Sequence, residues 1–484
     1  MRTELQAFKG AGWLAGFKLI SQIFSWVSTI FVARMLSPED YGLMAMATVI
    51  TGYAMLFSRL GLGAAVIQRT DNTQRELSSV FWFTLTTGIL FGLSCLILAY
   101  PTAWLFNAQR VIPITQAVSL IFIFSGLQIV PLNLLKKELR FKEIGVIEAT
   151  SILSSCLFML LIAYMGGGVW TLVCGNIIKN LSALSLIFCV QAWRPSKRFS
   201  FSDAISYLKF GFPIAIGDSL RYVNNKSDDF FAGRVWESGL LGFYSFAKQL
   251  SRIPNDKIVG LITQVSFPAF VQLKHDNERF KRFYLNVVKV IAAIILPLYV
   301  GGFLVGDELI HLLFNEKWYP MIFVFKYICL SEIITPLTSL SLQVHGALGR
   351  PKRILAFQVV MICFLPLSFF IVAPLGLQAI IIPWFTTYLF ISLAWNYFTL
   401  KTIGVNSFVY LNNLASPIGG TIVMILAVVG YSNLDIFFGK ALSQTEIIDL
   451  LAKILIGGAS YFSYFYFFFF FTLSKIKYLR SNKE

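Results

Sequence analysis

The sequence predicts an all-α polytopic membrane protein with about 14 transmembrane helices, and three observations lead there. Hydrophobic residues make up 57% of the 484 and charged residues only 13%, where soluble domains carry about 25%, and mean hydropathy is +0.71. Near-continuous apolar runs of about 20 residues, the length a helix needs to cross the hydrocarbon layer, recur along the whole chain. Lys and Arg gather in every second connection between those runs, as they do on the cytoplasmic side of a membrane.

In chain order the runs fall near residues 12–36, 42–67, 79–99, 111–134, 146–165 and 168–190, after which the polar stretch QAWRPSKRFSFSDAIS breaks the pattern. A second set lies near 207–235, 240–270, 284–305, 321–347, 354–373, 376–399, 413–431 and 448–473. One set of alternating connections holds Arg69 and Arg75, then Lys136, Lys137, Arg140 and Lys142, and so on through Arg350, Lys352, Arg353 and Lys401. The opposite set holds little beyond Arg110, Lys317 and Lys440. Both termini are basic and are expected in the cytoplasm. The start, MRTELQAFKG, lacks the apolar core and cleavage site of a signal peptide.

A shift of 200 residues without a gap lays FVARMLSPEDYGLMAMA on FAGRVWESGLLGFYSFA, matching Phe31, Arg34, Gly42 and Ala47 to Phe231, Arg234, Gly242 and Ala247. Leu105, Phe106 and Asn107 recur as Leu313, Phe314 and Asn315. Such a repeat implies two six-helix lobes in one orientation, related by a pseudo-two-fold axis along the membrane normal, with a cavity between them. The expected organisation is an N-lobe at 1–190 and a cytoplasmic linker at 191–206. A C-lobe follows at 207–400, then helices 13 and 14 with a basic cytoplasmic tail at 401–484.

The stretch from Tyr207 to Trp236 is long enough to span, yet it carries Asp218, Arg221, Lys226, Asp228 and Asp229. An ionised side chain at the bilayer centre costs roughly 2.5 to 3.5 kcal/mol on insertion scales, so these groups face water, a partner charge or a substrate. In the first span Lys18, Gln22, Ser25 and Thr29 share one helical face, and their shifted counterparts Asp218, Tyr222, Asn225 and Asp229 share another. The eighth span adds Lys248, Arg252 and Asp256 at intervals of four, with Pro254 predicted to kink the helix. Arg59 is a further in-span cation and Glu332 a scarce in-span anion. In-span cations outnumber in-span carboxylates, which points to an anion-attracting cavity between helices 1, 2, 7 and 8. Arg221, Lys248 and Arg252 would meet the anion, with Lys18, Arg59 and Asn225 assisting. Asp218, Asp228, Asp229 and Glu332 are the candidates for ion coupling. Competing readings are internal ion pairing for the aspartates, snorkelling for Lys18, and interfacial anchoring for Arg34 and Arg234.

Other chemistries find no support in the sequence. The net charge of +16 sits in short loops rather than in a polar basic domain, which argues against nucleic acid. Six cysteines lie in apolar runs without metal-type spacing, the three histidines are isolated, and no Walker-type phosphate loop occurs. Neither an enzyme nor a cofactor is expected.

The phrases ARMLSPEDYGLMAM and SRLGLGAAVIQR, with KSDDFFAGRVWESGLLGFYSFAKQLSRIP in the second half, resemble the polysaccharide transporter family of the multidrug/oligosaccharidyl-lipid/polysaccharide flippase superfamily. More narrowly, the chain is similar to its colanic acid exporter group. The resemblance implies an inner-membrane flippase with two rocking lobes, moving undecaprenyl-pyrophosphate-linked oligosaccharide units from the cytoplasmic to the periplasmic leaflet. It also implies membrane lipids as surroundings, and periplasmic polymerase and glycosyltransferase partners. Family-typical positions matched here are Arg34, Gly42, Asp228, Gly233, Arg234, Gly242, Tyr244 and Pro254. Two rivals stay open: a cation or drug antiporter, which would want an acidic cavity, and a membrane glycan polymerase or ligase, which would want a long outer loop.

Overall fold

The computed structural model describes residues 2–69, 71–437 and 446–481, and within them the side chains of residues 16, 17, 20–69, 71–435, 437 and 446–467. The chain divides into two compact units, Met1–Ser245 and Phe246–Glu484. The first holds α1 (Arg2–Met35), α2 (Pro38–Arg59), α3 (Leu62–Gln68), α4 (Gln74–Leu105), α5 (Val111–Val118), α6 (Leu120–Lys137), α7 (Phe141–Tyr164), α8 (Trp170–Val190), α9 (Phe201–Val235) and the first turns of α10 (Ser238–Pro254). The second continues α10 and adds α11 (Gly260–Leu273), α12 (Asn277–Leu304), α13 (Gly306–Leu313), α14 (Ile322–Ser331), α15 (Thr335–Ala347), α16 (Pro351–Val372), α17 (Leu389–Ile403), α18 (Ser407–Phe437) and α19 (Glu446–Ser481).

No strand occurs among the described residues, and eleven helical runs among them are long and apolar enough to cross a membrane. The protein is an all-α, multi-pass membrane protein. Large apolar side chains such as Ile97, Val265, Phe370 and Phe390 stand exposed on these helices, which suits a surface solvated by lipid rather than water. The other three expected spans fall on α1, α9, and α10 with α11. The latter two carry in-span charges singled out above, and α1 contributes the shorter apolar helix Ile20–Met35.

Local chemistry explains where the helices break. Ser37 caps α2 by accepting from the Asp40 amide while the Asp40 carboxylate accepts from the Ser37 amide at 2.9 Å, and Pro38 takes the first turn, where its missing N–H costs nothing. The phrase LSPEDYG is therefore a helix start. The phrase SRLGLG is a helix break: Leu60 and Gly61 both adopt left-handed φ, 47° and 65°, and separate α2 from α3. Helix boundaries recur at the 200-residue interval, α1 ending at Met35 and α9 at Val235, α2 beginning at Pro38 and α10 at Ser238.

Glycines let α2 and α3 lie against α9 and the start of α10. A Cβ built on Gly42 would stand 1.7 Å from the Ser238 carbonyl oxygen, and one on Gly242 1.7 Å from that of Pro38. Tyr222 fills the notch at Gly52 and donates to the Thr48 carbonyl at 2.7 Å. At the far end Gly61 and Gly211 meet backbone to backbone. The sequence groups Tyr222 with Asp218, Asn225 and Asp229 on one helical face, and the structure sets it in this seam.

The connections of the first unit collect at two ends. At one, Arg110 pairs with Glu39 at 2.5 Å and Gly168 approaches Asp40. At the other, the polar stretch between α8 and α9 is pinned down: Trp82 donates to the Ser196 carbonyl at 2.8 Å, Arg75 pairs with Asp203 at 3.1 Å, and Tyr207 donates to Asn72 at 2.6 Å. Alternate connections thus share an end, the second being the basic one.

The close approach gives a direct expectation. Gly42→Ala or Gly242→Ala forces a methyl into a backbone carbonyl and should lower stability by about 1–3 kcal/mol, read as a lower thermal midpoint in detergent. Gly239→Ala, which meets nothing within 4 Å, should leave the midpoint unchanged.

Candidate functional site

The in-span charges resolve into two local sets. On α9 the carboxylates go inward and take donors. Asp228 is fully buried and accepts from the Tyr244 hydroxyl at 2.5 Å. Asp229, equally buried, accepts from Lys226 at 2.7 Å and from the Ser245 hydroxyl at 3.1 Å. Asp218 and Arg221 pair at 2.9 Å one helical turn apart, with 65% of the Arg221 side chain exposed. Asn225 is exposed on the same helix. The pairing read as the competing explanation for the aspartates is thus present for Asp218 and Asp229. Asp228 instead joins Tyr244, another of the family-typical positions.

The second set lies within the second unit. Lys248 and Arg252, one turn apart on α10, both lie over the indole of Trp384, at 6.0 and 5.5 Å from the ring centre, a distance at which the ring's negative face attracts a cation. Arg252 also pairs with buried Glu332 at 2.8 Å, and Asn255 donates to the other carboxylate oxygen at 2.5 Å. Two π-helical turns frame the cluster, Asn255–Val259 directly after Pro254 and Trp384–Tyr388 before α17. The first interrupts the regular helix directly after Pro254, where the sequence predicts a kink, and Asp256 within it is exposed. Such turns cost regular helix geometry and recur where helices are shaped around a site.

The remaining candidates belong to the first unit. Arg59, at the end of α2, donates to the Ser125 hydroxyl at 2.8 Å. Lys18 belongs to α1, but its side chain lies outside the described residues. The sequence leads one to expect cations to dominate the charged interior, and the structure reverses this. Among the described residues Asp40, Asp228, Asp229, Glu332 and Asp435 are buried, against Lys248 and Lys453. Short carboxylates are held inside by hydrogen bonds, while long Arg and Lys stems carry their heads outward. Sequence reasoning also missed Trp384, Asn255 and Ser245, and gave Tyr244 no role beyond a family-typical position. Tyr244 and Ser245 follow Asp228 and Asp229 by 16 residues, and this equal spacing was the available signal. Trp384 carries none, since it reaches α10 only through tertiary folding.

The described residues thus form a multi-pass helical membrane protein with charge pairs inside its membrane helices. The solved structures agree on the fold. A lipid II flippase MurJ in an inward closed conformation superposes with a TM-score of 0.73 at 13% identity, covering 95% of this chain and 99% of that one. An inward-facing multidrug resistance MATE family transporter of the MOP superfamily gives 0.63 at 14%, covering 79% and 94%. The chain belongs to the family described as "Polysaccharide biosynthesis protein", whose model matches residues 31–323, more than half of the 484. Among its relatives are the lipopolysaccharide biosynthesis protein WzxC of Escherichia coli, 25% identical over 69% of this chain and 68% of the relative, and an uncharacterized membrane protein in the cps region of Klebsiella pneumoniae, 25% identical over 99% and 98%. Teichuronic acid biosynthesis protein TuaB of Bacillus subtilis is also 25% identical, over 71% and 72%.

The Arg252–Glu332 pair can be tested directly. Arg252→Ala leaves Glu332 buried with Asn255 alone and should destabilise the protein by about 3 kcal/mol. The double change Arg252→Met with Glu332→Leu should recover most of that loss in the same thermal assay.

Proposed function

We propose that the protein is a flippase that carries lipid-linked oligosaccharide units from the cytoplasmic to the periplasmic leaflet of a bacterial inner membrane by alternating access. Membership of the polysaccharide biosynthesis family supports the substrate class, as does the relative named succinoglycan biosynthesis transport protein ExoT of Rhizobium meliloti. The fold shared with a flippase and with transporters supports translocation over catalysis. In this reading the chain crosses the membrane fourteen times with both termini cytoplasmic. Its lobes are 1–190 and 207–400, joined by the linker 191–206, with helices 13 and 14 appended.

The observation that carries the reading is the Lys248–Arg252 pair over Trp384, backed by Glu332. A pyrophosphate linkage presents oxygens that a guanidinium grips through two parallel charge-assisted bonds. Binding it would draw Arg252 from Glu332, and the carboxylate left behind in its buried site would take up a proton or another cation, since an unpaired buried charge is unfavourable. Anion binding and cation uptake are then coupled at one residue. Asp218, Asp228 and Asp229 are secondary candidates because donors on their own helix or the next already hold them. Arg221, Arg59, Lys18 and Asn225 would guide the head group, and the polyprenyl tail would stay in lipid. Glycosyltransferases would act before the step and periplasmic polymerases after it.

A cation antiporter is the second reading, favoured by the buried carboxylates. It fares less well because Asp228, Asp229 and Glu332 each hold a donor already.

The test is translocation of lipid-linked glycan into inverted membrane vesicles. Alanine at Arg221, Lys248 and Arg252 together should reduce it at least tenfold, and Glu332→Gln should remove its dependence on an ion gradient. Wild-type transport by the triple variant would sink the anion site, and gradient-driven efflux of a dye cation would favour the antiporter.

A further inference from the structure

A cavity of about 770 Å³ opens at the weakly charged end of the first unit, where the turns joining α1 to α2, α4 to α5 and α9 to α10 meet. Its size falls within the range of small-ligand sites. Its walls carry two indoles, Trp104 and Trp236, with Asn107, Gln109, Arg234 and Glu237 between them. The two indoles differ in role. Trp236 is only 7% exposed and packs edge-on against Tyr244 at 6.2 Å, so it belongs to the built wall, whereas Trp104 is 76% exposed at the mouth. Beneath them Leu43, Met46 and Phe106 form a buried apolar floor.

The polar groups of this cavity are available. Asn107, Gln109, Arg234 and Glu237 form no side-chain hydrogen bond or ion pair with the described residues. Formal charge balances: Arg110 is neutralised by Glu39 at 2.5 Å, and Arg234 is matched in number by Glu237. A multiply charged phosphate or anionic head group would meet two carboxylates here, which disfavours it. What remains is a mixture of flat apolar faces, amides, one guanidinium and one carboxylate. A sugar ring is the complementary ligand. Its C–H faces lie on the electron-rich face of an indole, and its hydroxyls donate to Glu237 and to amide oxygens while accepting from Arg234 and amide N–H groups.

We infer that this cavity is a saccharide subsite, distinct from the Lys248–Arg252 cluster, that takes the sugar portion of the cargo at the periplasmic mouth. The inference rests on the flippase reading for the source of the sugar and for the side of the membrane. Its chemistry, however, is independent of lipid and pyrophosphate. An oligosaccharide held there at its far end keeps contact with the protein while the anionic head leaves the membrane interior.

The probe is the free oligosaccharide released by mild acid from the lipid-linked intermediate that accumulates when the protein is deleted, so that it carries neither phosphate nor lipid. Binding to the full-length protein in nanodiscs is measured by saturation-transfer NMR and calorimetry. Wild type should bind saturably, and Trp104→Ala combined with Arg234→Ala should weaken binding at least tenfold. Tyr164→Ala, an exposed aromatic that does not line the cavity, should leave binding unchanged, as a merely interfacial role for Trp104 would not predict. Absence of wild-type binding, or equal binding by the double variant, overturns the inference. Vesicle translocation by the same preparations separates the two claims: binding without translocation removes the flippase reading and leaves the subsite, and translocation without binding does the reverse.

Discussion

The backbone contact between α2 and the segment formed by α9 and α10 is the constraint on which the rest of the first unit depends. Gly42 meets the carbonyl of Ser238 and Gly242 meets that of Pro38, two contacts that exchange under the 200-residue shift. Further along the same seam Tyr222 seats in the notch at Gly52, and Gly61 meets Gly211. At both ends of the seam backbone meets backbone, and the Tyr222 side chain seals the stretch between them.

Closing this seam also fixes the charges. With α9 held against α2, Asp228 and Asp229 stay buried where Tyr244, Lys226 and Ser245 serve them. In the second unit the π turn after Pro254 keeps Asn255 on Glu332 beside Arg252. Buried ion pairs add little net stability, since desolvation offsets most of the attraction, yet breaking one by removing a partner is costly. Pairs of this kind suit a switch: they hold while both members are present and open when a stronger anion arrives.

Much of this was legible in the sequence, and particular residues show why. Apolar runs and loop charges follow from the bilayer's thickness and field, which act on each segment by itself, so helix positions could be read one run at a time. Ser37, Pro38 and Asp40 announce a helix start through contacts three residues apart. The kink at Pro254 was equally local. Trp384 was not legible, because its place over Lys248 and Arg252 is decided by folding across more than 130 residues. The seat of Tyr222 was not legible for a related reason: helical periodicity says which residues share a face, but not which neighbour has a glycine notch to receive one of them. The burial of carboxylates rather than cations likewise depends on side-chain length and on donors that tertiary structure supplies.

Under alternating access the closed seam parts during turnover. Spin labels at Met35→Cys, directly before α2, and Leu240→Cys, on α10, with the exposed native Cys189 and Cys363 replaced, report the separation across the seam by pulsed electron paramagnetic resonance. The account predicts a single short distance at rest. During transport of lipid-linked oligosaccharide a second, longer population should appear, and vanish when substrate is exhausted. One unchanging distance in a sample that is demonstrably transporting would contradict it.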